Sequence, residues 1–169
     1  MTTLPTLTTL QKVLPGVAPD VIQDFLDRMD QDYFSHFPKT TVAKHIQLVN
    51  DLTPDQPCAL NVQPGKDTSQ FQLTLVAYDY FAEFATVCGL LSAYGLDIRE
   101  AFIFTSHDKG TQATNPARPT SRHLKSIKFP VRCPTQRPGL SRKKVVDVFR
   151  LQVLSGCTFN TQDQKAFTH

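Results

Sequence analysis

The residues best placed for chemistry lie in one corner, between an alternating segment and an apolar helical segment. This corner combines two carboxylates with three aromatic rings, and its candidate ligand-binding residues are Asp79, Tyr80, Phe81, Ala82, Glu83 and Phe84. A carboxylate at a helix start accepts hydrogen bonds from free N–H groups, and aromatic rings close pockets around small molecules. Two interpretations stay open. We place packing and helix capping first, and a small-molecule pocket completed across a dimer interface second.

Other candidates for chemistry carry weaker signals. The sequence has no G-x-S-x-G, P-loop or G-x-G-x-x-G motif, and its five histidines form no H-E-x-x-H pair. Its four cysteines lack C-x-x-C spacing, which disfavours zinc. His45 lies on an apolar helical face, which is typical of a hydrogen-bonded core histidine. We therefore predict no catalysis, metal or cofactor within these residues.

A Pro-rich basic segment, residues 107–141, separates two predicted strands. It is too long for a hairpin turn, and we interpret it as an insertion that is flexible or lies on a surface. The alternative is contact with phosphate, nucleic acid or an acidic partner protein, for which the candidate residues are Arg118, Arg122, Lys125, Lys128, Arg132 and Arg137. Phe129 is its only aromatic residue, so base stacking, and with it nucleic acid, is disfavoured.

Period-two alternation predicts the strand that positions the corner. In "SQFQLTLVAYD" apolar residues alternate with Gln70, Gln72 and Thr74, which indicates an antiparallel sheet with one polar face. A helix follows, and Gly95 suits its C-terminal cap. Gly89, in the middle of that helix, suggests a close approach of helix to sheet. The predicted shared core is Phe71, Leu73, Leu75, Phe84, Cys88, Leu91, Ala101, Ile103 and Val148 or Phe149.

The remaining segments complete an α+β protein. Further strands are predicted in "LDIREAFIFTS", "KKVVDVFRLQVL" and "CALNVQ", and two helices in "APDVIQDFLDRM" and "KTTVAKHIQLVNDL". The residues before Gly16 are expected to be loosely held. We divide the chain into a helical extension, residues 1–54, and a sheet domain, residues 55–169. The final segment, "NTQDQKAF", begins a helix with Asn160 or Thr161 as its cap.

Composition sets the broad class. The chain has 169 residues, 40% of them hydrophobic, and a net charge of +3, which neither demands nor excludes an anionic partner. No run of about 18 apolar residues is present, and the Met1 segment has no basic stretch followed by an apolar one. We therefore expect a cytoplasmic protein with no membrane partner.

The segment Phe71–Leu151 resembles the ACT domain, a ligand-sensing module of ferredoxin-like βαββαβ topology. The matching residues are Asp79, Phe84 and Ala85 at the corner, Gly95-Leu96-Asp97-Ile98 after the helix, Ala101, Ile103, Phe104 and Thr105 in the next strand, and Val145-Val146-Asp147-Val148-Phe149 in the last. It looks most like the ACT regions of PII-protein uridylyltransferases and of large NAD-dependent glutamate dehydrogenases. Tyr33, Phe34 and His45 are similar to the segment before those domains.

The resemblance implies a non-catalytic regulatory module in amino-acid or nitrogen metabolism, with an amino acid as effector and a homodimer formed through the sheet or helices. Two departures alter this expectation. Phe81-Ala82 replaces the Pro-Gly corner of the family, and Glu83 replaces an apolar residue, so we expect millimolar or no binding of free amino acids. The family's last helix and strand are also short or absent, so the chain either continues further or takes its fourth strand from "CALNVQ".

Two alternative functions remain open at this point. The chain could be the regulatory front of a larger enzyme resembling a glutamate dehydrogenase or a uridylyltransferase. It could instead be a basic adaptor that binds an acidic partner or nucleic acid through the insertion.

Overall fold

A computed structural model of the chain describes residues 4–79, 83–107 and 143–168. These ranges form an α+β structure, as predicted. In chain order its elements are α1 (Leu7–Gln11), α2 (Pro19–Arg28), α3 (Gln31–His36), α4 (Lys39–Asp51), β1 (Cys58–Pro64), β2 (Gln70–Tyr78), α5 (Glu83–Ala93), β3 (Leu96–Thr105), β4 (Lys144–Val153) and α6 (Thr161–Thr168). None of the helices in these ranges has the length and apolar character needed to span a membrane.

The four strands form one antiparallel sheet in the order β1-β2-β4-β3. Strand β4 lies between β2 and β3, the two strands that α5 connects. The predicted strand "CALNVQ" is β1, and it pairs with β2 as the fourth strand from the N-terminal side. This order differs from that of a simple ACT domain, because the strand beside β2 precedes the rest of the sheet in the chain.

One face of the sheet packs against α5 and α6. Its buried residues come mainly from the central strands, with others from α5, the start of β3 and the segment before α6, and they are Phe71, Leu73, Leu75, Ala77, Leu91, Leu96, Val145, Phe149, Leu151 and Phe159. The predicted alternation of β2 and the predicted burial of Leu91 are therefore confirmed.

Phe149 is fully buried in the same cluster, which confirms one of the two alternatives predicted for β4, but the prediction was wrong for Phe84, Ala101 and Ile103. Phe84 is 48% exposed and Ile103 is 44% exposed, Ala101 is also exposed, and Cys88 is half-buried. The reason is the position of α5, whose Val87 and Leu91 pack with residues of β2 and β4, so the middle of the edge strand β3 stays uncovered. Val148 is buried, but alternation places it on the opposite face.

The other face of the sheet is covered, contrary to the predicted polar face. Thr74 is 5% exposed and Val76 is fully buried, because the N-terminal helices pack over them. Val76 and Val146 belong to the same cluster as residues of all four helices, including Ile22, Tyr33 and Ile46. The sheet therefore has helices on both faces. Of the three residues predicted to form its polar face, Thr74 is buried and Gln70 and Gln72 are half-buried.

The N-terminal segment is more ordered than predicted. Four helices replace the expected two, since the aromatic segment around Tyr33 forms α3 and residues before Gly16 form α1. Leu10 of α1 is 1% exposed, so burial fixes a stretch that its Thr and Pro content suggested would be loose.

Two glycines in or beside α5 differ in their roles. Gly95 has a φ of 67°, in the left-handed region that glycine adopts easily, and it ends the helix as predicted. The predicted close approach at Gly89 is wrong, because a Cβ built there meets no atom within 4 Å.

Candidate functional site

The corner predicted from the sequence begins where β2 ends. Asp79 is exposed, and its backbone N–H donates to the Lys143 carbonyl at 2.9 Å, which ties the end of β2 to the start of β4. Its carboxylate accepts no hydrogen bond from the described residues, so the predicted cap on the N–H groups of α5 is not seen among them. Tyr80, Phe81 and Ala82 lie outside the described residues, and of Glu83 only the backbone is described.

Phe84 is the part of the corner whose environment is defined. Its ring stacks on Phe149 with the centroids 6.1 Å apart and the planes at 24°, while nearly half of the side chain stays exposed. This arrangement gives an apolar surface beside the start of α5. Because the Phe84 ring stacks on Phe149 and is still partly exposed, it can pack against the apolar part of a small molecule.

A buried carboxylate lies on the same face of the sheet. Asp147 of β4 is 2% exposed and pairs in register with Leu75 on one side and Ile103 on the other. Burial raises the pKa of the nearby Cys88 thiol, and the negative charge of Asp147 raises it further. The site beside α5 therefore combines an exposed aromatic ring, a neutral thiol and a buried carboxylate.

The basic residues that could bind an anion are not placed by the structure. Arg118, Arg122, Lys125, Lys128, Arg132 and Arg137 all lie outside the described ranges, as does most of the predicted insertion. The two ends of that segment are defined and close together. The Ser106 N–H donates to the Lys144 carbonyl, and the Lys144 N–H donates to Ser106 Oγ, both at 2.8 Å.

Helix α2 anchors the first of these ends. Arg28 is 3% exposed and its Nε donates to the His107 carbonyl at 2.6 Å, while the His107 N–H donates to the Arg28 carbonyl at 2.9 Å. His107 Nε2 lies 2.6 Å from Asp30 Oδ1. These contacts fix where β3 ends against the N-terminal helices.

His45 is the hydrogen-bonded core histidine that the sequence predicted. It is 2% exposed, and its Nδ1 lies 2.7 Å from the hydroxyl of Tyr33, which is itself fully buried. Burial lowers the pKa of His45 to about 4, with a further contribution from the positive charge of Lys44. Burial also raises the pKa of Tyr33. Both groups are therefore neutral near pH 7.

Two further results concern binding chemistry. Within the described ranges no three His, Cys, Asp or Glu side chains group as metal ligands would.

A cavity of about 290 Å³, lined mostly by polar residues, opens between α4 and strands β1 and β2, on the face opposite the corner. Sequence reasoning missed this cavity, although the row of Gln72 and Thr74 on one side of β2 was a signal for it.

Comparison of the sequence with models of protein families gives no match, and comparison with curated proteins gives no significant match. The resemblance to ACT domains therefore rests on the residues of this chain alone.

Proposed function

We propose that this chain is a non-catalytic regulatory module of the ACT type, which senses a small molecule of amino-acid or nitrogen metabolism. The observation that carries the proposal is the arrangement of β2, α5, β3 and β4. Strands β2 and β3 flank β4 and are both antiparallel to it, with α5 connecting them, and this arrangement supports a split β-α-β unit of the ferredoxin-like kind. Strand β1 occupies the outer edge beside β2, where it serves as the fourth strand.

The corner from Asp79 to Phe84 is the proposed effector site. It lies between the end of β2 and the start of α5, and the N-terminus of a helix in general offers free backbone N–H groups to an anionic group of a ligand. Phe84, stacked on Phe149, supplies the apolar wall. Asp79 and Glu83 add negative charge, which opposes an effector carboxylate and favours an effector ammonium group.

Weak binding follows from this balance of charges. A single hydrophobic wall with a mixed polar corner fits a dissociation constant in the millimolar range, which corresponds to about −4 kcal/mol. Such an affinity suits a sensor of metabolites that are themselves present at millimolar concentration.

A homodimer is the second part of the proposal. In the described part of the chain β3 pairs only with β4, so its other edge is open, and Ile103 is 44% exposed beside it. An open edge with an exposed apolar side chain is a template for pairing with a second copy. Light scattering should give a dimer mass for the wild type and a monomer for Ile103→Lys; a monomeric wild type would remove this part of the proposal.

The effector site is tested by calorimetric titration with each of the twenty amino acids. We expect at least one of them to bind with a millimolar dissociation constant. Phe84→Ala should weaken that binding severalfold, because it removes the apolar wall. Leu90→Ala is the matched control, since Leu90 is also on α5 and is 43% exposed. Its binding should equal that of the wild type.

Two results would contradict the proposal. The first is the absence of any heat of binding at amino-acid concentrations of about 20 mM, well above a millimolar dissociation constant. The second is equal weakening by Phe84→Ala and Leu90→Ala, which would show that the ligand does not contact the corner.

A further inference from the structure

A second candidate site lies on the face of the sheet opposite the corner Asp79–Phe84. The cavity of about 290 Å³ lies between α4 and the first two strands, and its lining residues are Thr41, Lys44, His45, Gln47, Leu48, Asn61, Gln63, Gln72 and Thr74. Register pairs Asn61 with Thr74 and Gln63 with Gln72, so these four side chains form two adjacent rows on the cavity floor. At roughly 30 Å³ for each water molecule, the space holds about ten waters or a molecule of similar size.

Two polar side chains on the floor of the cavity have no hydrogen-bond partner among the described residues. Thr74 is 5% exposed, yet its hydroxyl makes no hydrogen bond within residues 4–79, 83–107 and 143–168. The Gln72 amide likewise has no partner in those ranges. Gln63 Nε2 donates to Asn61 Oδ1 at 3.0 Å, which orients both amides. None of these groups is among the fully buried polar atoms without a partner, so solvent reaches them, and a ligand in the cavity can replace that water as their hydrogen-bond partner.

The wall formed by α4 adds an N–H donor whose position is fixed. The buried Tyr33 hydroxyl has His45 Nδ1 as its only hydrogen-bond partner in the described residues, so the hydroxyl donates and Nδ1 accepts. A neutral imidazole that accepts at Nδ1 carries its proton at Nε2. His45 lines the cavity, and its Nε2–H makes no hydrogen bond within the described ranges. It is therefore a donor held ready for a ligand.

The charge of the lining selects the ligand class. Among the described residues that line the cavity, Lys44 is the one cation and none carries a carboxylate. One ammonium group pairs with one anionic group, while the amides and hydroxyls suit neutral hydroxyl groups. A ligand ammonium group would have no carboxylate to pair with, which disfavours amino acids.

We propose that this cavity binds a small hydroxylated monocarboxylate, with the carboxylate on Lys44 and the hydroxyl groups on Thr74, Gln72 and Asn61. His45 Nε2–H donates to the same ligand. The site is separate from the corner, on the other face of the sheet, and it does not depend on the function proposed above.

The test is calorimetric titration of the chain with D-gluconate, D-glycerate and L-lactate, alongside glutamine and inorganic phosphate. We expect saturable binding of at least one hydroxy acid and weaker or no binding of glutamine and phosphate. Thr74→Val keeps the shape of the side chain and removes the hydroxyl, and Lys44→Gln removes the charge. Each should weaken hydroxy-acid binding severalfold, as expected when a neutral hydrogen bond or an exposed ion pair to the ligand is lost.

Two controls separate binding from folding. Lys12→Gln removes an exposed lysine that does not line the cavity, and its binding should equal that of the wild type. Lys44 is exposed, so Lys44→Gln should fold even if Thr74→Val does not, as thermal melting will show. The proposal is overturned by no binding of the three hydroxy acids at about 20 mM, by tighter binding of phosphate, by glutamine binding that is tighter and that Lys44→Gln weakens, or by unchanged hydroxy-acid binding in Lys44→Gln.

Discussion

Acidification should destabilise this fold through one buried group, the imidazole of His45. The ring is 2% exposed, lies with its centroid 5.0 Å from that of Phe37, and has its Nδ1 2.7 Å from the hydroxyl oxygen of Tyr33. Protonation would place a positive charge on this ring in a buried, aromatic environment where water cannot solvate it. The folded protein therefore resists protonation of His45, whereas the unfolded chain does not.

The size of the effect follows from the two pKa values. In the fold the pKa of His45 is lowered to about 4 from an ordinary value of 6.5. Between these values the unfolded state binds more protons than the native state, so the free energy of unfolding falls as the pH falls. The loss is absent above pH 6.5 and nearly complete at about pH 4. Each pKa unit is worth about 1.4 kcal/mol, which gives a total of about 3 kcal/mol.

Urea unfolding at a series of pH values measures how much His45 changes the free energy of unfolding. Carboxylates also titrate in the window, so the informative quantity is the difference between wild type and His45→Gln. The wild type should lose about 3 kcal/mol more than the variant between about pH 7.5 and pH 4. His36→Gln is the control, because His36 is an exposed histidine on α3, and it should keep the wild-type pH dependence. Equal pH dependence of wild type and His45→Gln would show that His45 is protonated as easily in the folded protein as in the unfolded chain.

Three further changes test the packing. Leu75→Ala should lower the free energy of unfolding by about 2–5 kcal/mol, since Leu75 is 3% exposed, and a loss under about 1 kcal/mol in urea unfolding would contradict its burial. Gly89→Ala should raise it by about 1 kcal/mol, because the added Cβ meets no atom within 4 Å, and a lower melting temperature would argue against that open space. Replacing residues 108–142 with an Asn-Gly turn should preserve cooperative unfolding, because Ser106 and Lys144 already pair at the base; a non-cooperative melt would show otherwise.

Local patterns predicted the local elements well. The alternation of Phe71, Leu73 and Leu75 identified β2 and its buried face, because strand periodicity depends only on neighbouring residues. The position of Gly95 identified the end of α5 for a similar reason. His45 was correctly expected to be a hydrogen-bonded core residue, since a histidine on an apolar helical stripe needs a polar partner when it is buried.

Long-range packing could not be predicted in the same way. Thr74 was predicted to face solvent, and only the docking of the N-terminal helices, which precede it in the chain, buries it and forms the cavity beside it. The exposure of Phe84 and Ile103 depends on where α5 sits across the sheet, which no local period encodes. The strand order likewise depends on β1 reaching the sheet from the N-terminal side.

The central claim, that the corner senses an amino acid, is tested most directly by nuclear magnetic resonance of the ¹⁵N-labelled chain. The chain is titrated with each amino acid up to about 20 mM, a range that reveals millimolar binding. We expect saturable shifts of the backbone amides of Asp79, Phe84 and Cys88 with at least one amino acid. No shift with any amino acid, or shifts confined to Asn61 and Thr74 on the opposite face, would contradict it.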